Sequence, residues 1–201
     1  MFYYFRKIAL FKTLHFNYKY FGIKGLYMPV WISKNVKFDS LNGSVEIDSF
    51  TKGNIKLGFS EIGIIDSKYS RFLWQNSGKI YFGKNINMGI GCKISNSGCI
   101  EFGKNFSASG NMSIVCKKHI KFGKDDLIAW DTLFMDSDLH SIYDFDNNLD
   151  NQDKDILVGD HVWIGCRNTI LKGGKLSSGS IVSAGSIINK NIEENNVIIG
   201  N

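Results

Sequence analysis

Ile80-Tyr-Phe-Gly-Lys-Asn85 returns as Ile100-Glu-Phe-Gly-Lys-Asn105 and again as Ile120-Lys-Phe-Gly-Lys-Asp125, one phrase written three times at intervals of 20 residues. A shorter version, Ile55-Lys-Leu-Gly58, stands ahead of them. Self-similarity at a fixed period marks a repeat architecture, in which each unit buries its apolar face against the next. Toward the C-terminus a finer period takes over: Val158, Ile164, Ile170, Leu176, Val182 and Ile188 recur every six residues. Gly or Ser directly follows several of them, as in Val158-Gly159, Ile164-Gly165, Leu176-Ser177 and Val182-Ser183.

Twenty is close to three hexapeptides, so both periods describe one object. Six residues make a short strand and a tight turn, and three such units close a triangular coil. Successive coils stack about 4.8 Å apart through backbone hydrogen bonds, each apolar residue pointing into the prism. The small residue that follows lets the chain turn the corner without a Cβ clash. A spacing of six fits neither the 3.6-residue helix nor a heptad. The fold class read here is all-β, a single-stranded parallel β-helix.

Composition agrees. The 201 residues suffice for one core, 43% are hydrophobic, and 21 glycines accompany a single proline, a balance suited to short strands and tight turns. Two stretches escape the register. Residues 141–155 hold five Asp and three Asn and read as a loop ejected from the coil, where functional rims tend to lie. Residues 59–79 are also irregular, with Phe72 and Trp74 expected to cover the side of the prism.

Residues 1–38 carry seven Lys or Arg and no Asp or Glu, among many aromatic residues; the rest of the chain is close to neutral. This segment (1–38) reads as a cap over the open end of the solenoid, ahead of a β-helix domain over 39–201, because a stack of coils needs its ends covered. A second reading is a surface that meets anionic lipid or an acidic substrate. No apolar run is long enough to span a bilayer, and the start makes a poor signal peptide. Cys92, Cys99, Cys116 and Cys166 lack metal spacing and read as small buried thiols, so no metal is expected and the expected setting is the cytoplasm.

One histidine stands apart. Phe134-Met-Asp136-Ser-Asp138-Leu-His140 ends where the acidic loop begins, and alternation on a strand would put Asp136, Asp138 and His140 on one face. A carboxylate beside an imidazole can fix its tautomer and stabilise the imidazolium, and histidine is the usual proton acceptor near neutrality. His15, His119 and His161 have no comparable setting and read as exposed or packing residues. Which aspartate would orient His140, or whether a backbone carbonyl does so, stays open.

These residues resemble the hexapeptide-repeat acyltransferase family, most strongly over 80–201. Val158-Gly-Asp-His-Val-Trp-Ile-Gly165, Ile170-Leu-Lys-Gly-Gly174 and Ser183-Ala-Gly-Ser-Ile-Ile-Asn-Lys190 are similar to the C-terminal signature of sugar O-acetyltransferases, in particular those that modify capsular or lipopolysaccharide sugars. The resemblance implies a left-handed coil, although parallel crossovers usually take the other hand. It also implies a homotrimer, acetyl-CoA as co-substrate and a carbohydrate acceptor, with no nucleic acid. His140 matches the family's general base, just before an ejected loop. Asn111 is similar to an Asn that contacts the acceptor or oxyanion, and equally reads as a turn residue. Trp163 matches a Trp flanking the site, or an outward aromatic at a subunit contact. Gly165, Cys166, Ser183 and Ala184 match positions along the pantetheine arm, where corner geometry also asks for small residues. Asn189 and Lys190 match positions near the coenzyme phosphates, where a solvated turn lysine is the plainer alternative. Relatives commonly run on past Gly200-Asn201 with a proline and a basic residue, so a coenzyme contact from such a tail is not expected of these residues.

Three rival readings remain. An N-acetyltransferase of an amino sugar or antibiotic-type acceptor would use the same base and groove. A zinc enzyme like the carbonic anhydrases of this architecture would need a close histidine pair that is absent. A non-catalytic scaffold would leave the Asp-x-Asp-x-His segment unexplained.

Overall fold

Every third strand of the chain returns to the same sheet. In the computed structural model, which describes residues 6–192 and 197–198, three all-parallel sheets of eight, seven and seven strands form the sides of a prism. Val30–Ile32 opens the first face, Val36–Leu41 the second and Ser44–Ile47 the third. Among the described residues no helix is long and apolar enough to cross a membrane.

The repeated phrase lies in direct register: Ile80, Ile100 and Ile120 pair in sequence, as do Phe82, Phe102 and Phe122. Those phenylalanines stack down the prism with centroids 5.1 and 5.2 Å apart and planes 14° and 2° from parallel. Trp74 continues the column at 6.3 Å from Phe82, and Phe134 closes it edge-on at 4.8 Å from Phe122. Each such pair adds roughly 0.5–1.5 kcal/mol beyond area burial. Phe72 and Trp74 therefore do not cover the side of the prism, as expected from sequence. They point inward from the regular strand Phe72–Asn76 and are fully buried.

The last residue of each phrase has its own task. Asn85, Asn105 and Asp125 adopt left-handed backbone with φ of 60–61°, a conformation that short polar side chains tolerate best after glycine. Stacked at one corner, they also bond to each other: Asn85 Nδ2 donates to Asn105 Oδ1 at 3.0 Å, and Asn105 Nδ2 to Asp125 Oδ1 at 2.6 Å.

Helix α1 (Leu10–Phe21) and a 3₁₀ turn (Gly22–Tyr27) cover the N-terminal end. The first rung begins at Val30, inside the stretch read as cap. Among the described residues its outer edge meets no further strand of the coil, only an antiparallel bridge between Ile8 and Ser33, with Ala9 N donating to Ile32 O at 2.8 Å. An open edge invites aggregation unless covered. Two buried side chains of α1 complete that cover. Asn17 Nδ2 donates to Val30 O at 2.7 Å while its Oδ1 accepts from Val30 N at 3.1 Å, and Thr13 Oγ1 accepts from Ile32 N at 3.1 Å. Phe16 plugs the prism, 5.1 Å from Trp74.

Candidate active site

The second face sets the site. Leu133 pairs with Thr169, so 36 residues pass before the chain returns to that face; Thr169 pairs with Ile187 only 18 residues on. The excess is the acidic loop, which leaves at the corner between the second and third faces. The strand Leu133–Met135 ends before the aspartates. The common face expected for Asp136, Asp138 and His140 therefore does not form, because alternation holds only while the backbone stays extended.

Asp136 turns inward and is fully buried. Its Oδ1 accepts from Lys117 N at 2.7 Å, and its Oδ2 from Lys118 N at 2.9 Å and His119 N at 2.8 Å. One rung earlier, the equivalent amides of Ser97 and Cys99 are satisfied by the carbonyls of Cys116 and Lys118 in the next coil. Where the loop departs, no coil supplies those carbonyls, and the Asp136 carboxylate stands in for them. Its role is to let the loop leave without stranding buried donors, and neither oxygen reaches His140.

Asp138 is exposed and holds Lys172 Nζ at 2.5 Å and Asn151 Nδ2 at 2.9 Å. Those two bonds keep its carboxyl below the usual range. Asn151 also donates to His140 O at 2.7 Å and accepts from Ile142 N at 2.7 Å, and Lys172 donates to Asn151 O at 3.1 Å. Asn151 thus clasps the two limbs of the loop. The His140 imidazole has no hydrogen-bond partner among the described residues; it lies exposed along a groove of about 310 Å³ that it shares with Lys117, Ser137, Asn151 and Asp153. Asn151 and Lys172 were not singled out from sequence. Their signal lies in the register across the loop, where Met135 pairs with Leu171, so the corner after one meets the corner after the other.

The remaining residues divide between two corners. Asn189 and Lys190 are exposed at the same corner as the His140 loop, Lys190 O accepting from Lys175 N at 3.1 Å. Trp163 points outward from the first face, half exposed, between Leu127 and Ile181. Gly165, Cys166, Ser183 and Ala184 follow at the corner between the first and second faces. A Cβ at Gly165 would lie 2.9 Å from Ala184 N, so that corner needs glycine there. Asn111 occupies the same corner further up, with φ of 50° and its Nδ2 donating to Asp131 Oδ1 at 3.0 Å. Within one chain, the His140 groove and the small-residue corner are separate.

The other histidines differ. His119 Nε2 lies 2.9 Å from Glu101, His161 sits in a left-handed turn, and His15 packs 6.5 Å from the Phe38 ring. Of the four free thiols, Cys92 and Cys116 are buried as expected, whereas Cys99 and Cys166 are only half-buried, since both face outward.

No family model matches the chain. It is 32% identical over 89 residues to the polysialic acid O-acetyltransferase of Neisseria meningitidis, an alignment covering 43% of this chain and 41% of that enzyme. It is 27% identical over 138 residues to WbbJ of Escherichia coli (strain K12), assigned to lipopolysaccharide biosynthesis as an O-acetyl transferase, covering 63% of this chain and 70% of WbbJ. The chain thus matches less than half the length of the meningococcal relative. Among solved structures, that of the polysialic-acid-specific acetyltransferase NeuO superposes with a TM-score of 0.50 at 25% identity, covering 81% of this chain and 66% of NeuO. The match agrees with the left-handed coil that the family resemblance implied. With triangular rungs, a six-residue register and these relatives in agreement, the chain is built on a left-handed parallel β-helix and is similar to the hexapeptide-repeat acetyltransferases.

Proposed function

We propose that this protein transfers an acetyl group from acetyl-CoA to a hydroxyl of a capsular or lipopolysaccharide sugar, with His140 as general base. The observation that carries the reading is the His140 imidazole, without a hydrogen-bond partner among the described residues and open to a groove where an ejected loop meets the coil. An unpartnered ring can accept a sugar O–H. The imidazole takes the hydroxyl proton as the oxygen attacks the thioester carbonyl. The tetrahedral intermediate then collapses, breaking the C–S bond, and the imidazolium returns its proton to the coenzyme thiolate, which leaves as the thiol. Asp138 acts as a positioning residue: through Asn151 it holds the His140 backbone, not the ring.

Assembly as a homotrimer supplies what one prism lacks. Leu127, Trp163, Ile181 and Ile187 form an exposed apolar stripe on adjoining faces, and an apolar patch of this kind suits a subunit contact. A neighbour docked there would bring its small-residue corner to the His140 groove. Gly165, Cys166, Ser183 and Ala184 would then flank the pantetheine arm, Asn189 and Lys190 the phosphates, and Asn111 the acceptor or oxyanion. The reading needs no metal in the transfer step.

A cytoplasmic protein working on lipid-borne glycans would meet the inner face of the membrane, and the cap suits that setting. Phe11, Ile23, Tyr27, Tyr18 and Leu26 are 62–86% exposed on its outer surface, beside Lys19 and Lys24. Aromatic and basic residues on one surface favour an anionic interface.

The test is a panel of acceptors incubated with acetyl-CoA, reading free thiol and then treating the product with mild alkali. An alkali-labile acetyl group on a polysaccharide sugar supports the proposal. An alkali-stable amide would assign the chain to N-acetylation, and acceptor-independent thiol release would remove the sugar from the reading.

A further inference from the structure

On the third face, where the ejected loop rejoins the coil, three side chains of different chemistry converge. Cys99 and His119 are register partners on adjacent rungs, so their side chains project side by side, and Glu101 follows two residues after Cys99 on the same face. One ligand atom from each lies within 4.8 Å of the others. His119 Nε2 is 2.9 Å from Glu101 Oε1, and the other ring nitrogen, Nδ1, faces Asp155 Oδ2 at 3.8 Å. The group is recessed: the His119 and Glu101 side chains are 26% and 34% exposed.

We propose that Cys99 Sγ, Glu101 and His119 Nε2 bind a zinc ion, with Asp155 accepting a hydrogen bond from His119 Nδ1–H. Thiolate, imidazole and carboxylate are the ligands zinc takes, and three of them leave a fourth tetrahedral position for water. Sulfur and nitrogen donors disfavour calcium or magnesium. A carboxylate behind a ligating imidazole is the usual arrangement around such ions, because it fixes the tautomer and raises ring basicity. The ion inserts between His119 and Glu101, replacing their direct contact. The Cys99 proton is released as the Zn–S bond forms, and nothing is oxidised.

Lysines set the limits of the site. Lys121 Nζ lies 3.6 Å from Glu101 Oε2 and Lys118 Nζ 3.1 Å from Asp155 Oδ1, while Lys79 is paired with Glu46 at 2.8 Å. The ion thus competes with two cations for carboxylates that remain available. Burial and the neighbouring Glu101 push the Cys99 thiol up in the metal-free site. Asp155 immediately precedes the strand Ile156–Val158. An ion here would staple two rungs to the exit of the loop whose entrance carries His140, a structural role independent of acetyl transfer.

This group escapes a search for metal spacing because positions 99, 101 and 119 become neighbours only through the 20-residue rung. Cobalt(II), a spectroscopic substitute for zinc, provides the test on the reduced, metal-free full chain. One equivalent should produce a thiolate-to-cobalt charge-transfer band that zinc abolishes. The band should be lost in Cys99→Ser and in His119→Gln and unchanged in Cys166→Ser. Asp155→Asn should weaken binding at least tenfold, in the range expected for a carboxylate behind a ligand. Zinc should raise the melting temperature of the wild type but not of Cys99→Ser, since an ion bound only to the folded state stabilises it. No charge-transfer band in the wild type, or one that survives Cys99→Ser, overturns the proposal.

Discussion

Two aspartates show how the same side chain serves opposite ends in one coil. Asp136 is buried but receives three backbone N–H bonds, which compensate a carboxylate for its lost water. Asp136→Ala should cost about 3 kcal/mol or more, since it strands several buried donors at once; a denaturant midpoint unchanged from wild type would contradict this account. Asp126 is as deeply placed, and among the described residues its Oδ2 has no partner. Burial pushes its carboxyl up to about 7 despite bonds from Val162 and Gly123. A folded-state value above the unfolded one means stability is greatest while Asp126 is protonated and falls as pH rises from about 4 to about 7. Asp126→Asn should therefore stabilise the protein by roughly 2 kcal/mol at pH 8, with the gain shrinking toward pH 4. Paired chemical denaturation curves at the two pH values check this, and a gain independent of pH would rule out titration as the cause. Sequence could not assign these two roles. From it Asp136 reads as a carboxylate beside His140 and Asp126 is not singled out; only the register reveals which one meets a row of amides.

Among the elements, strands were the most legible. The repeated phrase marks each complete coil, and its copies do pair in register; that its Phe forms the core column and its last residue a left-handed corner emerges only from the structure. The strand Phe72–Asn76 was missed because the long excursion before it, residues 59–71, breaks the count of six. The Asp136–His140 segment was misread for the converse reason: alternation was extended past the end of a strand. Helix α1 was legible only as an aromatic, basic cap. That Asn17 and Thr13 imitate a strand edge is a tertiary fact with no linear signature. Asn17→Ala should destabilise by about 1–3 kcal/mol by unpairing Val30, measurable by thermal melts; no loss would mean the edge does not need this cover. The outer side of the cap makes a separable prediction. Phe11→Ser with Ile23→Ser should leave the melting temperature within a few degrees of wild type yet abolish sedimentation with anionic vesicles. If wild-type protein fails to sediment with those vesicles at low salt, the membrane reading is lost.

At the scale of the whole molecule, a rigid triangular scaffold separates two half-sites that the proposed chemistry needs together. The His140 groove opens at one corner, and the small-residue walls lie at another, beside an exposed Trp163. Symmetric assembly is the economical way to join them. Light scattering should give a trimer at working concentration, and Trp163→Asp with Ile181→Asp should yield monomers that fold but transfer no acetyl group. Fully active monomers would show that one prism suffices. The ejected loop was legible because it interrupts a strong period, whereas the role given to His140 rests on the family resemblance and is a proposal. Sequence did not reach the clasp formed by Asn151 and Lys172, whose members meet only once the loop has closed.

The most direct test concerns the imidazole itself: initial rates of thiol release from acetyl-CoA, with a responsive sugar acceptor, for wild type and His140→Ala. With fold and assembly verified by circular dichroism and light scattering, kcat should fall by about 10²- to 10⁴-fold, the contribution of a positioned general base. A variant that keeps its rate within a few-fold of wild type would contradict the account at its centre.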